Sequence, residues 1–299
     1  MVFSLQPDLI GLPADPGLIA RGLGPVFALW LAVFMTPFFL FVPDGAPTGG
    51  SWRRAFSTLL LGEGRFNLAR RPQEFARYLR GLFRDHPGVM GYLLVRMVYA
   101  DGVTTLLALG GVYTSGVLGW HQAELALYGI WGSVFGVLGG FFGGSVMDRL
   151  FGPRRAVIAE LLILCCGVAL AMSVTQDSVF YGLVSADHAV HGLPVFSTLA
   201  EVVYLVAIAL VAATATAVIS SSRVLLVALA PRERLSEFFG IYMLAATATV
   251  WMGPMFVRLA TEASGDQRIG FSPVLVMLAV GAVLMLLVRR APGEDAAKR

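Results

Sequence analysis

Apolar residues in this chain come in long unbroken runs. They cover about Leu23 to Val42, Val89 to Val117, Ala123 to Met147, Ala156 to Val174, Phe196 to Ile219, Phe238 to Leu259 and Phe271 to Val288. Several runs reach the roughly 20 residues that carry an α-helix across a hydrocarbon core of about 30 Å. They do not alternate apolar with polar positions, which excludes a β-barrel. The pattern predicts an all-α membrane protein with about seven transmembrane helices. Pro37 predicts a kink in the first. At about 1.5 Å per residue the second exceeds the core, so tilt or a break is expected, with Asp101-Gly102 as the place for local unwinding. Gly253-Pro254 interrupts the sixth.

The stretches between the runs supply orientation. Arg53, Arg54, Arg65, Arg70, Arg71, Arg77, Arg80 and Arg84 follow the first run, and Arg149, Arg154 and Arg155 follow the third. Arg223, Arg232 and Arg234 follow the fifth, and Arg289, Arg290, Lys298 and Arg299 follow the seventh. The opposite loops hold only Arg21, Arg258 and Arg268. The bias predicts an external N-terminus and a cytoplasmic C-terminus. Four segments result: 1–42, an external stretch and the first span; 43–88, a cytoplasmic linker; 89–290, a six-helix bundle; and 291–299, a tail. In the linker, Phe75, Leu79, Leu82 and Phe83 fall at helical spacing, with Arg77, Arg80 and Arg84 elsewhere on the wheel. That fits a helix lying on the membrane surface, or a solvated linker helix.

Composition agrees with this class. Hydrophobic residues make up 57% of the chain and charged residues 14%, against about 25% charged in soluble domains. The formal net charge of +3 is accounted for by the loops, so no nucleic-acid partner is expected. Cys165 and Cys166 are adjacent within a span, which suits packing rather than a disulfide. The N-terminus has no basic segment before an apolar one, so no signal peptide is read.

Two features carry candidate chemistry. Gly132, Gly136, Gly140 and Gly144 recur at every fourth position, and Asp148 continues the series. Each fourth residue advances about 400° around a helix, so the row drifts slowly and lets another backbone approach. It runs into the charged turn Asp148-Arg149-Leu150-Phe151-Gly152-Pro153-Arg154-Arg155. The second feature is Asp101, with Arg96 and Tyr99, inside the second span. A carboxylate at that depth is costly and normally faces a cavity or a partner, so a substrate or proton site is expected. Five residues separate Arg96 from Asp101, which points them about 140° apart. Glu160, Glu201, Arg223 and Arg258 sit near span ends and are read as solvated or paired. His188 and His191 with Asp187 lack further ligands, so no metal site is assigned. No catalytic triad, phosphate loop or cofactor motif is present, and neither an enzyme nor a cofactor is expected. A seven-helix receptor or rhodopsin fits less well: the only lysine, Lys298, lies in the tail, where no retinal Schiff base would form.

Gly144-Ser-Val-Met-Asp148-Arg149 with Gly152-Pro153-Arg154-Arg155 resembles the loop signature of the major facilitator superfamily. Tyr92-Leu-Leu-Val-Arg96-Met-Val-Tyr99-Ala-Asp101-Gly102 resembles the start of the seventh helix in its vacuolar-effluxer-like branch, which includes autophagy-related amino acid exporters. Leu229-Ala-Pro231, Glu233-Arg234, Glu237-Phe238-Phe239-Gly240, Tyr242 and Gly253-Pro254 are similar to that branch's later loop and eleventh helix. The resemblance implies helices six to twelve of twelve, the N-terminal half being absent or separate. It implies a secondary transporter of small solutes, amino acids among them, with protons as candidate coupling ions. It places the chain in a lipid bilayer, expected to be a bacterial cell membrane. Arg96, Tyr99 and Asp101 would face the solute, and Gly144, Asp148, Arg149, Gly152, Arg154 and Arg155 would form a gating turn. Gly132, Gly136 and Gly140 would pack helices. The alternative is a non-transporting or half-transporter subunit that pairs with a separate partner.

Overall fold

The computed structural model describes residues 16–41, 72–143, 147–186 and 196–288. Two compact units divide between Arg80 and Gly81. Helix α1 (Pro16–Phe41) belongs to the first, and Pro25 and Pro37 both lie within it. Helix α2 (Pro72–Asp85) crosses the division. A helix forms over the spacing of Phe75, Leu79, Leu82 and Phe83, with Leu82 buried and Phe83 exposed.

The second unit is a helical bundle. Its elements are α3 (Pro87–Leu118), α4 (Gln122–Phe142), the short turn α5 (Asp148–Phe151), α6 (Pro153–Met172), a hairpin of β1 (Ser178–Val179) and β2 (Val184–Ser185), α7 (Leu199–Leu229), α8 (Leu235–Thr249), α9 (Met252–Ser264), the turn α10 (Gln267–Gly270), and α11 (Ser272–Met285). Among the described residues six spans are long and apolar enough to cross a membrane: α3, α4, α6, α7, α8 with α9, and α10 with α11. The chain is therefore an all-α membrane protein. The first apolar run falls on α1, whose described apolar part, Gly24–Pro37, is shorter than the other six.

Local chemistry sets the helix ends. Pro87 and Pro153 open α3 and α6 at positions where a missing N–H costs nothing. Thr198 and Glu201 form a reciprocal cap at the start of α7: the Thr198 N–H donates to Glu201 Oε2 at 3.0 Å, and the Glu201 N–H to Thr198 Oγ1 at 3.3 Å. That gives Glu201 a capping role instead of the solvated or paired one expected. Trp120 seals the adjoining end of the bundle, its ring 5.0 Å from Phe196, 5.4 Å from Tyr204 and 6.3 Å from Tyr128.

Helix α7 is the hub. It packs against both α4 and α6, while α11 packs on α3 and α6, and α8 on α3. Half of the most apolar stretch is buried in each of α3, α6 and α7, against 11% in α4 and 17% in the α8–α9 span. Those two spans flank the bundle with their apolar faces open.

Two expectations change. Helix α3 runs unbroken through Asp101-Gly102, so no unwinding occurs there. The break lies across from it, between Thr249 and Met252. Pro254 causes it by having no N–H for the Val250 carbonyl. The fifth span also continues to Leu229 as one 31-residue helix, past the expected end at Ile219. Gly144, Asp187, His188, His191 and the basic tail from Arg289 lie outside the described residues.

Candidate functional site

Three side chains of α3 were expected to face a solute, and each meets a different neighbour. Arg96 stacks on Tyr242 of α8, its guanidinium carbon 3.3 Å from the ring centroid. Its Nη1 donates to the Tyr242 carbonyl at 3.0 Å. Its Nε is buried without a partner, and among the described residues no carboxylate pairs with it. A desolvated cation–π stack of this kind contributes about 2 kcal/mol.

Tyr99 turns toward α7 and α11. Its hydroxyl shares a hydrogen bond with Ser222 Oγ at 2.8 Å, and Tyr92 donates to the Ser222 carbonyl at 2.6 Å. Seven residues separate the two tyrosines, which puts them on one helix face. Gly281 of α11 closes over Tyr99, and a methyl at 281 would fall onto the Tyr99 Cβ. Asp101 lies near the middle of the 32-residue α3 and is 3% exposed. Its Oδ2 accepts the Gly253 N–H at 3.0 Å, capping the first turn of α9 from another helix. Arg96, Tyr99 and Asp101 therefore diverge within the bundle. The partners Ser222, Tyr242 and Gly253, and Thr105 beside Asp101, were not singled out as site residues.

A cavity of about 590 Å³ lies between α3, α4, α6 and α7, with Phe271 just before α11 at its edge. Tyr113, Tyr128, Tyr204, Gly132, Gly136 and Phe271 help line it, and none of its lining residues is charged. Arg96, Tyr99 and Asp101 are not among them.

The glycine row approaches α7 unevenly. A Cβ at Gly136 would lie 3.2 Å from Thr216 Oγ1, and one at Gly140 3.1 Å from Thr216 Cγ2. At Gly132 the nearest atom, Ala212 Cβ, is 3.9 Å away, so that position has room for a methyl. The tightest approaches fall at Gly139 and Gly143, against the backbone of Ala213 and against Ala217. The row that meets α7 is thus 136, 139, 140 and 143.

The charged turn is compact. Gly152 adopts φ 81°, open to glycine at little cost, and this sharp reversal starts α6. Its N–H donates to the Asp148 carbonyl at 3.1 Å. Arg149 is exposed. Arg154 ties the turn to the end of α11, its Nη2 donating to the Leu286 carbonyl at 2.6 Å. Among the described residues the turn forms no ion pair. Both Asp148 carboxylate oxygens are buried without a partner. Glu160 was expected near solvent but is 2% exposed, and Ser221 Oγ donates to its Oε1 at 3.0 Å. In the later motif, Arg234 bridges Glu237 at 2.6 Å and His86 at 3.2 Å.

Burial pushes the Asp148 carboxyl above the usual carboxylate range. A raised pKa means that the fold favours the protonated acid. Stability is then lost as pH rises from the unfolded value, about 3.9, through the folded one. Asp148→Asn should therefore melt higher than the parent at neutral pH. The gap should close as pH falls below the ordinary aspartate range. A parent that melts higher at neutral pH would contradict this.

Residues 25–298 match the family described as vacuole effluxer Atg22 like. Autophagy-related protein 22 from Cryptococcus neoformans var. neoformans serotype D is 25% identical over 269 residues, in strain JEC21 and again in strain B-3501A. The alignment covers 88% of this chain and 42% or 44% of the relative. The chain thus spans less than half the length of the curated relatives it matches. Both are fungal, and they lend no support to a bacterial cell membrane. A match over nearly all of its length, on a bundle of membrane-spanning helices, makes this chain a member of the Atg22-like vacuole effluxer family.

Proposed function

We propose that the chain is the C-terminal portion of a secondary transporter with the major facilitator fold, moving small solutes, amino acids among them, by alternating access. The observation that carries this reading is the coincidence of a family match with two open flanks. Helices α4 and α8–α9 leave their apolar faces uncovered, as expected of one half of a molecule whose relatives are more than twice as long. Solute in such folds binds between the halves. Under this reading Arg96, Tyr99 and Asp101 hold the helices that form one wall of the route: Arg96 braces α8 through Tyr242, Tyr99 ties α3 to α7, and Asp101 caps α9. The segment from Gly144 through Asp148, Arg149, Gly152, Arg154 and Arg155 is the gating turn, on the cytoplasmic side with the C-terminus.

The test is solute exchange by the full-length product of the locus in liposomes preloaded with unlabelled amino acids. Labelled amino acid should accumulate by counterflow. Arg96→Ala should slow exchange by about tenfold or more, the equivalent of roughly 1.4 kcal/mol. Correctly inserted protein that moves no solute would overturn the reading. The alignment length also favours a half-transporter subunit with a separate partner. The DNA upstream separates the two: five more spans in frame support one chain, and a neighbouring six-helix gene supports two.

A further inference from the structure

The kink between α8 and α9 leaves oxygen atoms without partners. Pro254 has no N–H for the Val250 carbonyl, and Gly253 gives its N–H to Asp101 instead of continuing the helix ladder. The ladder resumes with the Met255 N–H on the Trp251 carbonyl at 3.2 Å. The Val250 carbonyl is thereby left without its ladder donor, while the Ala248 carbonyl takes the Trp251 Nε1–H at 3.1 Å.

Two side-chain oxygens border the first turn of α9 beside this kink. Asp101 Oδ1 and Thr105 Oγ1 are buried with no hydrogen-bond partner, on residues 3% and 1% exposed. They lie one turn apart on α3. Both border the Gly253 α-carbon: a methyl there would lie 3.2 Å from Asp101 Oδ1 and collide with Thr105 Oγ1. Among the described residues no Lys, Arg or His pairs with Asp101. A carboxylate at this depth with one hydrogen bond remains short of positive charge. The N-terminus of α9 supplies only about half a charge.

We infer that Asp101 Oδ1, Thr105 Oγ1 and the Val250 carbonyl freed at the kink bind a sodium ion. The donors are all oxygen, which selects a hard cation. One carboxylate matches one positive charge, whereas a divalent ion would leave an excess in the hydrocarbon. A proton would satisfy Asp101 but leave the Val250 carbonyl without a partner. Transporters use interrupted helices in this way to offer carbonyls to a cation. The link from this ion to solute movement rests on the transport reading above; the site itself does not.

The experiment is thermal unfolding of the purified chain in detergent at constant ionic strength, in sodium, potassium or choline chloride. Melting should rise with the logarithm of sodium concentration and not with choline. Potassium should act more weakly. Thr105→Val keeps the side-chain shape and removes the oxygen, so it should fold and lose the sodium shift, as should Asp101→Asn. Equal melting in sodium and choline, or a sodium shift that survives both substitutions, would overturn the site. A response to pH alone that Asp101→Asn abolishes would assign the position to a proton and also overturn it. A sodium shift in a protein that carries no solute would keep the site and remove the transport reading.

Discussion

A single methyl group at position 139 is expected to force α4 away from α7. A Cβ at Gly139 would fall on the backbone of Ala213, against its carbonyl oxygen, Cα and carbonyl carbon. No rotamer change relieves a clash with backbone, so one helix must move. Ordinary overpacking costs about 1–3 kcal/mol. Displacing a helix contact built on small residues should cost about 3 kcal/mol or more. In a chain of this size that is a fall in melting temperature of roughly 10 °C. Gly132→Ala is the control. Its new methyl would meet only Ala212 Cβ at ordinary distance, so the change should stay within about 0.5 kcal/mol. Thermal unfolding of both variants in detergent decides the matter. Equal melting would mean that α4 and α7 do not approach as described.

The glycine case shows how far the sequence could be read. A period of four marked α4 as a close-packing helix, and Gly136 and Gly140 do lie against Thr216. A row of fixed step drifts off the contact, however, while real contacts alternate steps of three and four. Gly139 and Gly143 belong to that alternating row, and Gly132 has drifted out of it. Asp101 was legible by its depth in an apolar run. Its partner was not, because Gly253 is 152 residues away and contributes a backbone N–H, which no side-chain pattern displays. Pro254 announced the kink from sequence, but not that Asp101 would cap it. Glu160 reads from sequence as solvated or paired because it lies near the end of the fourth run; α7 continues past Ile219 and brings Ser221 against it inside the bundle.

Gly253→Ala is expected to be nearly as damaging as Gly139→Ala, but, unlike it, correctable by a second substitution. The added methyl would strike Thr105 Oγ1 and press on Asp101 Oδ1 at 3.2 Å. Relief requires α9 to shift, which would stretch the hydrogen bond from the Gly253 N–H to Asp101. Overpacking at about 1–3 kcal/mol and loss of a charged hydrogen bond at about 1.5–3 kcal/mol together predict a cost of roughly 3–5 kcal/mol. The obstacle here is a side chain, so removing it should help. Thr105→Ala opens the space that the methyl needs. The double variant should therefore recover part of the loss, with a coupling of about 1 kcal/mol or more between the two positions. At Gly139 no such suppressor exists, because the obstructing atoms belong to the Ala213 backbone. Chemical or thermal unfolding of the parent, the two single variants and the double variant gives the coupling directly. Strict additivity would show that Thr105 does not stand against Gly253. The cap on α9 would then have to be held by some other contact.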